Sequence, residues 1–144
     1  MSGSRAFFDT NVLVYLFDED SPTKKERAIQ VFAEHSRRGE IVLSPQVLQE
    51  FYVTVTRKLA RPLANDKALE AVIHLDSFAS VAVDGRIVVR AIQLHQEAAL
   101  SFWDALIVQT ALEGNCKRLF SEDMQHGRAF GDLVIENPFS AMRP

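Results

Sequence analysis

The sequence predicts an α/β protein in which helices cover both faces of a mainly parallel sheet. Three observations lead to this fold class. Short apolar segments of strand length alternate with longer segments in which apolar residues recur at helical spacing. Serine, aspartate and proline stand where the helices would begin. The chain has 144 residues without an internal repeat, so we expect one domain over 1–144.

The chain begins with a strand, a turn and a helix. Residues 5–8 are a short apolar run that predicts a strand, and the polar residues 9–11 precede a short buried helix over 12–17. Ser21-Pro22 combines an N-cap with a first-turn proline and predicts a helix that ends near Gly39. A polar turn therefore directly follows the first strand.

The middle of the chain predicts two further strands and two helices. A second strand is expected at 41–43, followed by a helix that begins at Ser44-Pro45, carries an apolar stripe and ends at about 61–62. Asn65 is the expected cap of a helix that continues to about 75. The apolar residues 81–83 predict the third strand.

The last third of the chain predicts two helices and two strands. Asp84 and Ser101 are typical N-caps, for helices to about 97 and 112, and Gly114-Asn115 is a typical helix stop. Residues 118–121 and 133–135 predict the remaining strands. Because strands alternate with helices throughout, the sheet should be mainly parallel and buried on both faces.

Composition excludes several classes of protein. The chain is 47% hydrophobic and 24% charged, which is typical of globular rather than disordered protein. Its longest apolar stretch, 6–17, contains Asp9 and Asn11 and falls short of the ~18 residues of a membrane span. Asp9 also interrupts the apolar region that a secretory signal needs. With the single Cys116, these features predict a cytoplasmic protein with no membrane association.

Four carboxylates are expected at one edge of the sheet, because ligands of parallel sheets bind outside the carboxyl ends of the strands. Asp9 and Asp123 follow predicted strands, while Glu50 lies in the second turn and Asp104 in the first turn of predicted helices. Each also has an ordinary structural explanation. Asp9 can cap a helix, Glu50 can lie on a solvated helix face, Asp104 can form a capping box with Ser101, and Asp123 can be a loop acid.

Together the four acids predict a metal site. Clustered carboxylates raise each other's pKa values unless a cation lies between them. The donors are oxygens, and the four histidines are scattered along the sequence, so Mg²⁺ or Mn²⁺ suits the set better than Zn²⁺. Such an ion can activate water and neutralise a phosphate, which is the chemistry of phosphodiester hydrolysis. The net charge of −3 makes a bridging cation or a local basic face necessary for nucleic-acid binding.

Other side chains are candidates for supporting roles. If extended geometry persists after residue 121, Ser121 and Asp123 share a face and Glu122 points away, which selects Asp123 as the metal-facing acid. Asn11 and Ser121 can hydrogen-bond the acids, although turn or capping roles are equally open. Trp103 is expected to pack in the core rather than to stack on a base. Contacts to RNA phosphates are expected from Arg57, Lys58, Arg61, Lys117, Arg118 and Arg128, unless these are simply solvated surface residues.

Five motifs occur in a characteristic order: FDTNVLVY at 8–15, QEF at 49–51, FWDALI at 102–107, LFSEDMQ at 119–125 and NPF at 137–139. This ordered set resembles the PIN-domain ribonucleases, and among them the VapC toxins of prokaryotic toxin–antitoxin pairs. The resemblance implies a three-layer α/β/α fold with a five-stranded parallel sheet and metal-dependent endonucleolytic cleavage of RNA. It also implies a homodimer inhibited by a VapB-like antitoxin. It carries the acidic roles onto Asp9, Glu50, Asp104 and Asp123, and the polar position onto Ser121.

Three other functions fit the sequence less well. A catalytically silent PIN-like module would bind RNA or protein without cutting, and the intact acid set argues against it. A receiver-type phosphoacceptor domain needs adjacent acids after the first strand, whereas Asp9 is followed by Thr10 and Asn11. A haloacid-dehalogenase-like phosphatase needs aspartate where Asn11 stands. A metal-dependent endoribonuclease is therefore the favoured prediction.

Overall fold

Six helices and a six-stranded sheet make up residues 4–142, which are the part of the chain that the computed structural model describes. The outermost residues of the predicted domain, 1–3 and 143–144, lie outside it. The strands are β1 (Arg5–Phe8), β2 (Ile41–Leu43), β3 (Ala79–Ser80), β4 (Cys116–Phe120), β5 (Ala129–Phe130) and β6 (Leu133–Glu136). The helices are α1 (Thr10–Tyr15), α2 (Pro22–Arg37), α3 (Pro45–Arg57), α4 (Asn65–Leu75), α5 (Gly85–Glu97) and α6 (Phe102–Glu113).

The sheet confirms the predicted α/β fold class. Its strand order is β3-β2-β1-β4-β6-β5, and every neighbouring pair is parallel except β5 with β6. The sheet has six strands rather than five, because the two-residue β5 folds back onto β6 at an edge. The turn between them is Gly131-Asp132, and Gly131 has a φ of +59°, a conformation that glycine adopts without strain.

The core lies on both sides of the central strands. Successive residues of β1 and β2, Ala6 to Phe8 and Ile41 to Leu43, are all buried. Side chains alternate between the two faces of a strand, so burial of successive residues means that both faces are covered. This is why the central strands read in the sequence as unbroken apolar runs.

The third strand was predicted two residues too late. The edge strand is Ala79–Ser80, which pairs with Val42 and Leu43, whereas the prediction was 81–83. Val81 and Val83 instead pack against a small cluster formed by α5 and α6. The hydrophobicity of 81–83 therefore reflects packing against helices. The residues that pair in the sheet, Ala79 and Ser80, are exposed and do not form an apolar run that would predict a strand.

Several helix boundaries also differ from prediction. Helix α1 covers Thr10–Tyr15 rather than 12–17. Helix α3 ends at Arg57 rather than at 61–62. Ala64, not Asn65, occupies the N-cap position of α4, and no side chain caps that helix. The predicted caps Ser44, Asp84 and Ser101 do accept hydrogen bonds from the first turns of α3, α5 and α6. Ser21 occupies the N-cap position of α2, but its side chain accepts no capping hydrogen bond.

The topology creates a crevice at the carboxyl ends of β1 and β4. These two strands are neighbours, yet the chain leaves β1 toward β2 on one side, and β4 lies on the other. Such a reversal opens a crevice outside the strand ends, where ligands of open α/β sheets bind. Separately, none of the helices within residues 4–142 is long and apolar enough to cross a bilayer.

Candidate active site

A cavity of about 620 Å³ lies at this crevice, and all four predicted acids line it. Asp9 directly follows β1, Glu50 lies in the second turn of α3, Asp104 lies in the first turn of α6, and Asp123 follows β4. Four elements that are distant in sequence thus bring their carboxylates to the wall of one cavity.

Asp9 is the most buried of the four acids, with 8% of its surface exposed. Its carboxylate caps α1 by accepting from the Thr10 amide at 2.8 Å, and it accepts from the Ser121 hydroxyl at 2.9 Å. Burial nevertheless raises the pKa of Asp9 to about 6, and the charges of Glu50 and Asp104 add to this rise, against the two hydrogen bonds. The site therefore holds a carboxylate whose negative charge is poorly compensated by the protein.

Asn11 connects Asp9 with the loop that follows β4. Its Oδ1 accepts from the Glu122 amide at 3.0 Å, and its Nδ2 donates to Asp123 Oδ2 at 3.1 Å. The same Nδ2 lies 3.4 Å from Asp9 Oδ2. One amide side chain thus fixes a loop backbone and two carboxylates.

Glu50 and Asp104 also line the cavity. Glu50 is exposed and accepts from the Thr10 hydroxyl at 3.1 Å. The Asp104 amide donates to Ser101 Oγ at 3.1 Å, so the predicted cap is present. Burial raises the pKa of Asp104, the hydrogen bond from Ser101 lowers it, and the charge of Asp123 raises it again. Capping and placement on the cavity wall therefore occur together at this residue.

The donor set fits a hard divalent cation. The four carboxylates surround the cavity, and none of them forms a salt bridge with a lysine, arginine or histidine of residues 4–142. Their oxygens are ligands of the kind that Mg²⁺ and Mn²⁺ prefer. The side chains stand apart, however, and no three acidic, histidine or cysteine groups in the described part of the chain are gathered into a ready-made metal site.

Glu122 does not point away from the cavity, contrary to the prediction. Extended geometry ends at Phe120, so the alternation of faces does not continue, and Glu122 and Asp123 both line the cavity. Glu122 is already engaged, since Tyr15 Oη donates to its Oε1 at 2.8 Å and Lys24 forms an ion pair with its Oε2. Asp123 is therefore the member of this pair whose charge no cation of the described chain neutralises.

Sequence reasoning missed Thr10, Tyr15 and Lys24 in this region. Thr10 contacts Glu50, while Tyr15 and Lys24 hold Glu122. Thr10 stands between Asp9 and Asn11, which were both predicted site residues, and this position is only a weak indication of its role. Lys24 lies on another helix, α2, and only the tertiary structure brings it to the site.

Some of the predicted RNA-binding residues lie at the cavity, and others lie away from it. Lys58 lines the cavity, and Arg57 precedes it as the exposed last residue of α3. Arg61 instead pairs with Asp20 at 2.9 Å.

The remaining predicted cations lie away from the cavity. Lys117 and Arg118 lie in β4 and pair with Asp132 and Glu136 at 3.4 and 3.8 Å. Arg128 does not line the cavity either, and it lies over the Phe130 ring.

Trp103 is not a core residue, so that prediction was wrong. Its surface is 63% exposed, and it lines the cavity next to Asp104. Helix α6 buries the run Ala105 to Val108, but its first turn lies at the carboxyl-end edge of the sheet. The indole is therefore presented at the mouth of the site.

Comparison with known proteins agrees with this architecture. The family model of the PIN domain matches residues 6–129. No curated protein sequence was matched.

Solved structures show the same fold. A toxin–antitoxin complex from Klebsiella pneumoniae has a TM-score of 0.68 at 22% identity, covering 92% of this chain and 97% of that one. VapC20 of Mycobacterium tuberculosis, described as a sarcin–ricin loop cleaving toxin, has a TM-score of 0.61 at 20% identity, covering 82% and 91%. VapBC2 from Rickettsia felis, bound to a DNA fragment of its promoter, has a TM-score of 0.64 at 17% identity, covering 92% and 97%.

Proposed function

The chain belongs to the PIN domain family, and from this premise we propose that it is an endoribonuclease that requires Mg²⁺ or Mn²⁺ and acts as the toxin of a toxin–antitoxin pair. The observation that carries the proposal is the cavity that Asp9, Glu50, Asp104 and Asp123 line without a neutralising cation of the described chain. A set of oxygen donors at the ligand-binding edge of an α/β sheet suits a divalent ion and a phosphate substrate.

The four acids have distinct roles in this proposal. Asp9, Glu50 and Asp104 hold the divalent ion, and Asp123 completes the set. When bound, the ion supplies activation of water and neutralisation of the charge on the scissile phosphate. Asp9 is suited to a central role, because it is the most buried acid and is held by both Thr10 and Ser121.

The remaining residues position the acids and the RNA. Ser121 and Asn11 restrain Asp9 and Asp123 through the hydrogen bonds described above. Lys58 on the cavity wall and the adjacent Arg57 contact phosphates that flank the scissile bond. A protein with a net charge of −3 thereby gains a local basic edge beside its metal site.

The proposed partners are an antitoxin and a second copy of the chain. Two structures of similar fold are toxin–antitoxin complexes, from Klebsiella pneumoniae and Rickettsia felis. A VapB-like antitoxin that covers the cavity would keep the nuclease inactive until the antitoxin is removed. The homodimer is proposed on the family resemblance.

The function is tested by RNA cleavage with purified protein. Total RNA and a panel of structured RNAs are incubated with Mn²⁺, Mg²⁺ or EDTA, and the cut sites are mapped. We expect cleavage with either metal, none with EDTA, and a large loss for Asp9→Asn. Asp66→Asn, which changes an exposed acid in the first turn of α4, is the matched control and should cleave normally. RNA binding without cleavage in any metal would favour the silent module instead.

A further inference from the structure

A second cavity, of about 400 Å³, adjoins the cavity of the four acids. The two cavities share Gln46, Gln49 and Trp103 in their walls, so they lie next to each other. Val83 and Leu106 give the second cavity an apolar side, and no acidic residue lines it. Its chemistry therefore differs from that of the first cavity, since it offers apolar surface and amide groups rather than carboxylates.

Trp103 presents an aromatic face at the junction of the two cavities. The indole is 63% exposed, yet its position is supported from within, because the Phe102 ring meets it edge to face with centroids 5.0 Å apart. Phe102 in turn packs against the cluster of Ile87, Ala91 and Leu106. An exposed but supported indole can stack on a flat ligand at little cost in side-chain ordering.

Gln46 supplies an unused hydrogen-bond acceptor at the same place. Its Oε1 is buried, and no group in residues 4–142 donates to it. A buried acceptor without a partner is costly, and such atoms are rare in folded proteins. Because Gln46 lines both cavities, a ligand that occupies them can provide the missing N–H group.

We propose that the second cavity is a nucleobase subsite for single-stranded RNA. One unpaired base stacks on Trp103 and donates an N–H to Gln46 Oε1, while the adjoining phosphate lies in the cavity of the four acids. A nucleotide joins a flat base, with N–H groups on its edge, to an anionic phosphate. The base suits the apolar and amide surface of the second cavity, and the phosphate suits a metal ion held in the cavity of the four acids. Bases within a duplex are stacked and paired, so the subsite selects single strands or loops. The inference rests on the proposed ribonuclease function and specifies its substrate.

Fluorescence provides a site-specific test, because Trp103 is the only tryptophan in the chain. Asp9→Asn protein is titrated with hexamers of uridylate, adenylate and cytidylate, and with an abasic ribose-phosphate hexamer of equal charge. We expect the base-containing hexamers to quench the emission and the abasic hexamer to leave it unchanged. Emission that responds equally to the abasic hexamer would overturn the subsite.

Variants test the two contacts separately, with binding of labelled hexamers followed by fluorescence anisotropy. Trp103→Leu should weaken binding roughly tenfold, as expected for loss of one stacked base, and Trp103→Phe should restore most of it. Gln46→Met keeps the side-chain length but removes the acceptor, and should reduce discrimination between bases while stacking persists. Ile73→Ala, at another exposed apolar residue on α4, is the control and should bind normally.

The subsite and the nuclease function can fail independently. Cleavage that persists in Trp103→Leu with unchanged KM and cut sites would overturn the subsite and leave the nuclease intact. Base-containing hexamers that quench the emission of Asp9→Asn, together with a wild-type protein that cleaves no RNA in any metal, would support the subsite and count against the nuclease. Emission that responds to a co-purified protein partner but to no RNA would assign this surface to protein binding and overturn the proposal.

Discussion

The Ser121 hydroxyl donates a hydrogen bond to Asp9 Oδ2 at 2.9 Å and so joins the carboxyl ends of β1 and β4. Ser121 is fully buried and Asp9 nearly so. The hydrogen bond favours the charged form of Asp9, but burial outweighs it and raises the pKa of Asp9 to about 6. The protein thus positions this carboxylate firmly while leaving its charge uncompensated.

Replacing Asp9 by asparagine should separate activity from stability. We expect Asp9→Asn to lose RNA cleavage by more than the roughly 10–100-fold that is typical of losing a residue that supports a metal ligand. The metal-free variant should be more stable than the wild type by up to about 3 kcal/mol near pH 7, because it buries no charge, and asparagine is a good N-cap. Cleavage rates and urea unfolding in EDTA measure the two effects. Wild-type cleavage by the variant would contradict the assignment.

The raised pKa of Asp9 predicts a pH dependence of stability in the absence of metal. The folded-state pKa of about 6 exceeds the ordinary value of 3.8, so the folded protein binds this proton more tightly than the unfolded chain does. The destabilisation is therefore complete above about pH 6 and is relieved as the pH falls toward about 4. The stability difference between Asp9→Asn and wild type should shrink by about 2 kcal/mol between about pH 7.5 and pH 4.5. A constant difference across this range would show that the charge of Asp9 is not the cause.

Asn11 is predicted to be a positioning residue. Asn11→Ala removes the acceptor for the Glu122 amide and the donor to Asp123, so both the loop and its carboxylate lose a restraint. We expect cleavage to fall roughly 10–100-fold and Mn²⁺ to bind more weakly, as for other residues that orient metal ligands. Asn65→Ala, at the start of α4, is the control. Weaker Mn²⁺ binding distinguishes positioning from a general loss of stability, and unchanged Mn²⁺ affinity in Asn11→Ala would contradict the role.

The adjacent acids Glu122 and Asp123 should differ in importance. Glu122 is neutralised by Lys24 and held by Tyr15, whereas Asp123 accepts only from a neutral amide among the described residues. We therefore expect Asp123→Asn to reduce cleavage at least roughly tenfold more than Glu122→Gln. Thermal unfolding of both variants controls for misfolding. A larger loss in Glu122→Gln would identify Glu122 as the acid that faces the metal.

Lys58 is expected to contact an RNA phosphate. Lys58→Ala should weaken binding of all RNA sequences about equally and reduce the slope of log affinity against log salt by about one phosphate contact. The control is Lys117→Ala, because Lys117 lies outside the cavity and pairs with Asp132. Anisotropy titrations over a range of salt concentrations measure the slope. Equal slopes for wild type and Lys58→Ala would exclude the contact.

The sequence predicted the fold class and the placement of the four acids along one cavity because both depend on a general rule. Alternating strands and helices imply a parallel sheet, and residues after its strands meet at one edge. Asp9 and Asp123 could be placed in this way, and Glu50 and Asp104 follow from the helices that begin there. This reasoning needs no knowledge of loop conformation.

The errors lie where local conformation or long-range packing decides. Glu122 was assigned to the wrong side because the strand ends at Phe120 and alternation ends with it. Trp103 was assigned to the core because its size and apolarity do not reveal that the first turn of α6 lies at the cavity. The ion pair between Lys24 and Glu122 joins elements that are distant in the chain, so no local sequence pattern could predict it.

The most direct test of the four-acid cavity is Mn²⁺ binding followed by electron paramagnetic resonance, on the wild type and on single variants of the four acids. Wild-type protein should bind Mn²⁺, Asp9→Asn and Asp104→Asn should bind it at least roughly tenfold more weakly, and Asp66→Asn should match the wild type. Equal Mn²⁺ binding by all of these proteins would contradict a metal centre built from these carboxylates.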